Sequence, residues 1–114
     1  MEREIGVYPD IAEKFKLNYV VIRNGTILNL IYYLNNNYQI IVNYNPPGIG
    51  GHFAVVKKIS LNFIYLLDPH FGKFHKLTLK KFKTFWKGDK SLLDNEDGWF
   101  IALKKSRGFD NNKN

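Results

Sequence analysis

Two side chains of this sequence are spaced to do acid–base chemistry together, His52 and Asp68. His52 ends the loop of the stretch NPPGIGGHFAVV (Asn45–Val56), where prolines and glycines crowd together just ahead of a run of strand formers. Asp68 heads the pair Asp68-Pro69 after the apolar run FIYLL. Between them, HFAVVKKI (His52–Ile59) and FIYLL (Phe63–Leu67) are separated only by Ser60-Leu61-Asn62. A connection that short predicts an antiparallel hairpin. Opposed residues then keep a constant index sum, set by the turn. His52 falls opposite Asp68 or within a residue or two of it, where paired Cα atoms lie roughly 4.5–5.5 Å apart. A carboxylate there would accept from one imidazole nitrogen and fix the tautomer. The other nitrogen would be left as a base toward a nucleophile. The same spacing also fits a histidine that is simply satisfied beside an Asp-Pro turn.

The loop itself narrows the chemistry. Its glycines allow close backbone approach and unusual dihedrals, and its prolines stiffen the chain. Together they would hold His52 at a mouth, with Asn45, Pro47, Gly50 and Gly51 as the rim. The loop contains neither G-K-[ST] nor G-x-G-x-x-G, and it opens a strand, so no helix N-terminus is offered to a phosphate. The chain has no cysteine, which excludes disulfides, thiolate metal sites and a cysteine nucleophile on this polypeptide. His70 and His75 show no paired ligand spacing such as H-E-x-x-H. They read as turn and strand polar residues, and neither a metal nor a cofactor is expected.

The elements that must position the pair follow from periodicity and punctuation. Pro9 and Asp10 open a short helix with Ile11, Ala12 and Phe15 on one side. NYVVI (Asn18–Ile22) reads as a strand closed by Asn24-Gly25. Thr26 caps a helix whose Ile27, Leu30, Ile31 and Leu34 form one stripe, ended by Asn35-Asn36-Asn37. YQIIVNY (Tyr38–Tyr44) is β-rich, the His52–Leu67 hairpin follows, and HFGKFHKL turns at Gly72 into a short strand. Thr78 caps a last helix with Leu79, Phe82, Phe85 and Trp86 inward, Lys80, Lys81, Lys83 and Lys87 outward, and Gly88 as its terminator. Asp94 to Gly98 form a polar turn, and WFIALKK (Trp99–Lys105) is a final strand. This order predicts an α+β domain over residues 1–105, with a mostly antiparallel sheet of about five strands, short flanking helices and a disordered tail over 106–114.

Composition sets the outer limits. At 114 residues with 45% hydrophobic residues, the chain is one small globular domain with a modest core. No apolar run approaches a membrane span. MEREIGVYPD is charged and is not a secretory signal, so the expected location is cytoplasmic. The net charge is +7, and the excess lies entirely in residues 57–114. That asymmetry fits an anionic partner or a solvated lysine face.

NYQIIVNYNPPGIGGHFAVVKKISLNFIYLLDPHFGKFHKLTLKKFKTFWKG resembles the C-terminal half of the double-glycine-leader peptidases. These are papain-like cysteine peptidase domains known from bacteriocin-exporting ABC transporters. The pattern is an apolar strand, a glycine-containing loop, H-[FY]-x-V-V, a short turn, an apolar strand, D-P, a glycine turn, and a Leu-Phe-Trp helix. LNYVVIRNGTILNLIYYLNNN also looks like the strand, turn and helix that precede it. The resemblance covers roughly residues 9–105. It implies a papain-like half-domain in which His52 stands at the catalytic histidine and Asp68 at its orienting aspartate. The family's nucleophilic cysteine and oxyanion-hole glutamine would fall before Met1. Ser60, Ser91, Ser106, Thr26, Thr78 and Thr84 do not stand where a nucleophile would.

Three functions remain to be separated. The first is a non-catalytic relative that recognises an extended peptide or leader-like segment along a cleft rim or sheet edge. The second is the His/Asp-bearing half of a split or truncated peptidase, its cysteine on another chain or segment. The face left by a missing helix would then suit a partner or a homodimer. The third is a small basic domain for nucleic acid or an anionic surface, using Lys80, Lys81, Lys83, Lys87, Lys90, Lys104 and Lys105. The aromatics near those lysines sit at core spacing, and arginines are few, which argues against nucleic acid.

Overall fold

The alternation of apolar residues along successive short segments is satisfied by a single sheet. The computed structural model describes residues 17–88 and 97–105. The helix expected from Pro9, the tail beyond Lys105, and Lys90 lie outside the described residues. The elements run β1 (Leu17–Ile22), α1 (Ile27–Asn35), β2 (Gln39–Tyr44), β3 (His52–Ile59), β4 (Phe63–Asp68), β5 (Gly72–Thr78), α2 (Leu79–Phe85) and β6 (Phe100–Lys105). Among the described residues the strands form one sheet in the order β1-β6-β2-β3-β4-β5. Every neighbouring pair is antiparallel. The last strand therefore enters between β1 and β2, and the fold is α+β.

One face of this sheet carries the core. Val20, Ile22, Ile40, Val42, Tyr44, Ala54, Val56, Ile64, Leu66, Phe100 and Ala102 recur at every second position and pack together, as the two-residue period of a strand requires. Leu30 of α1 and Phe82 of α2, with Trp86 beyond it, close over them. Burying a side chain of this size contributes about 1.5–3 kcal/mol relative to exposure. The α1 helix packs over β2, and α2 packs over β4 and β5.

The helices start where their caps dictate. Thr26 accepts from Asn29 N at 3.1 Å while Asn29 Oδ1 accepts from Thr26 N at 2.9 Å, a reciprocal capping box. Thr78 accepts from Lys81 N at 3.1 Å. Asn36 and Asn37 end α1, with Asn37 at φ 67°. The α2 helix stops earlier than Gly88 suggests. Trp86 is its C-cap, because the carbonyls that follow take donors from elsewhere in the fold. Asn45 N donates to Phe85 O at 2.7 Å, Gly98 N to Trp86 O at 2.9 Å, and Asn45 Nδ2 to Lys87 O at 2.6 Å.

Two further expectations need correcting. The sheet has six strands, not about five. The stretch from Gly72 is a seven-residue strand, Gly72–Thr78, longer than the short strand expected. It lies at the sheet edge with one strand neighbour and much of its surface exposed, so it lacks the apolar alternation that announces an inner strand. The β3–β4 register also shifts between Val56 and Lys58, a bulge that the alternation of the sequence does not reveal.

Close backbone approach is found away from the Asn45–Gly51 loop, at Gly98 and Gly25. A Cβ on Gly98, at φ +61°, would lie 2.5 Å from Gly25 N and 2.6 Å from Gly25 O. That pair joins the start of α1 to the start of β6 through Gly25 N donating to Gly98 O at 3.0 Å.

Candidate functional site

Asp68 ends β4 on the core face and is 1% exposed, among the most deeply buried polar groups described. A carboxylate in that position needs donors on every side. It has them. Oδ1 accepts from the backbone of the turn that follows, His70 N at 2.8 Å and Phe71 N at 3.4 Å. Oδ2 accepts from the Tyr44 hydroxyl and faces His52 Nε2 at 2.7 Å.

The register brings these three side chains together. Tyr44 and His52 are Cα partners across β2 and β3. Val55 pairs with Leu67, and continuing that pairing by one residue sets Ala54 opposite Asp68. His52 therefore reaches the carboxylate diagonally, two residues along the same face, a separation that long side chains span. The Tyr44 and His52 rings meet edge-on, with centroids 4.9 Å apart and planes at 64°.

The electrostatics follow from the donors. Burial alone would raise the Asp68 pKa, but the hydrogen bonds from Tyr44, His52 and the His70 amide outweigh it and hold the carboxyl below its ordinary 3.8. Asp68 is thus an ionised acceptor with its lone pairs engaged, suited to orient a neighbour rather than to carry protons itself. The Tyr44 phenol is pushed far above the usual range, first by burial and then by the hydrogen bond to Asp68 and its charge. It stays protonated and donates. A carboxylate can only accept, so the Asp68 contact puts the imidazole proton on His52 Nε2. In the neutral imidazole, Nδ1 then carries the lone pair. That atom is buried, and among the described residues no hydrogen-bond partner reaches it.

The other histidines stand at the margin. The His70 ring is 6.2 Å from that of His52. His75 stacks on Phe71 at 4.1 Å and 12°. Its pKa is lowered by burial and by His52, against the pull of Asp68. Among the described residues, no three His, Cys, Asp or Glu side chains group to hold a metal ion.

The loop that delivers His52 is built in two parts. Asn45 is anchored to the end of α2 by the two hydrogen bonds above, so it acts as a post for the loop. Pro47, Gly50 and Gly51 are exposed beyond it. Pro46 O accepts from Ile49 N at 3.2 Å and Gly50 N at 3.4 Å. Gly48 and Gly50 have φ of 79° and 83°, and a Cβ on either would meet nothing within 4 Å. Glycine is required there by backbone conformation and not by close approach.

The serine and threonine hydroxyls of the described residues are engaged elsewhere. Thr26 and Thr78 cap helices, Thr84 Oγ1 donates to Lys80 O, and Ser60 sits in the β3–β4 turn, at the other end of β3 from His52. Ser91 and Ser106 lie outside the described residues. On the opposite face of the sheet, Ile41, Phe53, Val55 and Leu67 line an open apolar hollow of about 480 Å³ that reaches Asp68, Pro69, Gly72 and Lys73. Among the described residues no helix is long and apolar enough to cross a membrane.

Tyr44 is the member of the site that pattern reasoning misses. Treated as an ordinary β-rich aromatic, it looks like core. The signal was available in the loop. Strands that flank a loop pair at its base, which sets Tyr44 opposite His52 and on the same face.

The fold and site define an α+β domain with an antiparallel sheet and a buried Tyr–Asp–His cluster at one end of it. Comparison with protein-family models, with curated proteins and with solved structures gives no match.

Proposed function

We propose that this chain is the base-bearing lobe of a papain-like cysteine-peptidase-type domain, which does not cleave by itself and recognises an extended peptide. The observation that carries the proposal is the His52–Asp68 contact at 2.7 Å, with Nδ1 buried and unpaired among the described residues. A histidine satisfied for structural reasons alone would leave no buried nitrogen without a partner, since such atoms cost about 1–3 kcal/mol. An oriented imidazole with a lone pair held in reserve suits a base whose proton donor comes from outside. The order of elements through β2, the loop, β3, β4 and α2 supports the same reading, as does the resemblance of NPPGIGGHFAVV and of the Asp68-Pro69 stretch to the double-glycine-leader peptidases. The exposed loop Pro47–Gly51 forms one wall for a peptide.

No residue of these 114 carries a thiol. Loss of the nucleophile removes most of the acceleration in a unit of this type, so the chain alone is expected to bind and not to hydrolyse. The unpaired Nδ1 favours one second reading, in which a cysteine from a separate chain or segment completes the site. His52 would then be the general base and acid, and Asp68 its orienter.

The test uses the folded chain and fluorescent peptides ending in Gly-Gly or lacking it. Saturable binding, weakened when Pro47–Gly51 is replaced by a serine-rich loop of equal length, supports the reading. Absence of binding to any peptide at millimolar concentration overturns it. Hydrolysis by this chain alone that survives His52→Ala would place a catalytic centre elsewhere. For the second reading, the coding sequence upstream of Met1 should encode a helix with Gln and Cys, and mixing that segment with this chain should produce thiol-dependent cleavage.

A further inference from the structure

We infer that Tyr44 is a positioning residue for His52, acting through the Asp68 oxygen that both side chains share. The inference rests on the proposed role of His52 as a base and deepens it.

Tyr44 is 0% exposed and lies in the core cluster, a position that phenylalanine would fill at no polar cost. Its hydroxyl instead donates to Asp68 Oδ2. That is the same atom that faces His52 Nε2 at 2.7 Å, while Oδ1 is occupied by the turn amides of His70 and Phe71. The two turn amides fix the plane of the carboxylate. The phenol takes one side of Oδ2 and leaves the imidazole the other. With its ring against Tyr44 at 4.9 Å, His52 has one direction from which to donate. Tyr44 is held in turn by Phe82 of α2, whose ring is 5.8 Å away and which stacks on toward Trp86 at 5.1 Å. The sheet register supplies the rest, because Tyr44 and His52 are direct partners and both strands bring their side chains to Asp68 on one face.

Four donors on one buried carboxylate could serve packing alone. What distinguishes a positioning role is that removing the phenol hydroxyl changes the state of the imidazole. Tyr44→Phe keeps the ring and removes only the donor. Asp68 Oδ2 then has its full acceptor capacity for His52, and the imidazole gains freedom to tilt across it.

The experiment is nitrogen-15 NMR of the histidine side chains in the wild-type chain and in Tyr44→Phe, with circular dichroism to confirm that the variant is folded. The wild type should show His52 protonated at Nε2, with that proton downfield and slow to exchange. In Tyr44→Phe the proton should move from its wild-type position and exchange about tenfold faster, as expected from the loss of roughly one hydrogen bond of restraint. Peptide binding should weaken less than the exchange rate changes. A folded Tyr44→Phe whose His52 Nε2 proton is unchanged in position and exchange would reduce Tyr44 to packing and overturn the inference. If the variant does not fold, 3-fluorotyrosine in place of tyrosine decides, because it keeps the donor and changes only its acidity. The His52 Nε2 proton should then move, and an unmoved proton overturns the inference. The base reading fails separately, through a wild-type His52 protonated at Nδ1 instead of Nε2.

Discussion

Replacing Asp68 with asparagine removes one charge from the centre of the site while keeping its shape, and the consequences can be worked out donor by donor. Asp68 accepts from Tyr44, His52, His70 N and Phe71 N. An asparagine must place its NH₂ on one side. With the amide oxygen toward the turn amides, the NH₂ meets Tyr44 and His52. Tyr44 can rotate its hydroxyl to accept. His52 can accept only by moving its proton from Nε2 to Nδ1, the wrong tautomer for a base. Hydrogen bonds to a charged group are worth about 1.5–3 kcal/mol, and neutral ones about 0.5–1.5. The two buried bonds and the stronger turn bond therefore lose about 2–3 kcal/mol together, after the relief of burying a charge. For a domain of this size that lowers Tm by roughly 10 °C. The pH dependence sharpens the test. The Asp68 pKa is held below its ordinary 3.8 in the folded chain, so its contribution is complete above the unfolded value and is lost as pH falls through the folded one. The gap in stability between wild type and Asp68→Asn should be full at neutral pH and close in strong acid. Urea melts of both proteins from neutral pH downward measure it. A gap that is absent at neutral pH, or that persists unchanged in strong acid, would refute the assignment of Asp68 as the ionised centre of the cluster.

Other perturbations separate the parts of the fold. Gly98→Ala should cost at least about 3 kcal/mol, because its Cβ would lie 2.5 Å from Gly25 N at a positive φ. Gly48→Ala, at φ +79° in open space, should cost only about 1–2 kcal/mol; thermal melts that rank the two equally would contradict the geometry. Phe82→Ala should destabilise by about 3–5 kcal/mol and, in whatever folded fraction remains, speed exchange of the Tyr44 hydroxyl that its ring supports. His52→Ala should leave Asp68 with its Tyr44 and turn donors, so the domain should stay folded by circular dichroism while cleavage by any complemented complex is abolished.

Much of this arrangement could be read from residue order, and the limits have physical causes. The β3–β4 hairpin, both helix N-caps and the meeting of His52 with Asp68 depend on local rules of turn length, capping and strand period. Those rules act within a few residues, and the structure follows them. What stayed hidden depends on partners distant in sequence. Asn45 looks like a rim residue until the end of α2 is placed against it. The end of α2 is decided by Asn45 and Gly98 rather than by Gly88. The edge strand β5, expected only as a short strand, has too little apolar alternation for its full length to be read from its own residues. Tyr44 reads as core because the acceptor for its hydroxyl lies on β4, two strands away in the sheet order.

The proposed place of peptide recognition is the His52 end of the sheet. Its most direct test is to titrate the labelled chain with an extended peptide carrying a Gly-Gly end and follow the backbone amides by NMR. Shifts should concentrate at Asn45–His52, excluding the prolines, and at Asp68, His70 and Phe71. Shifts confined to the lysine face of α2, Lys80 to Lys87, and lost on adding salt would contradict it and point to an anionic partner instead.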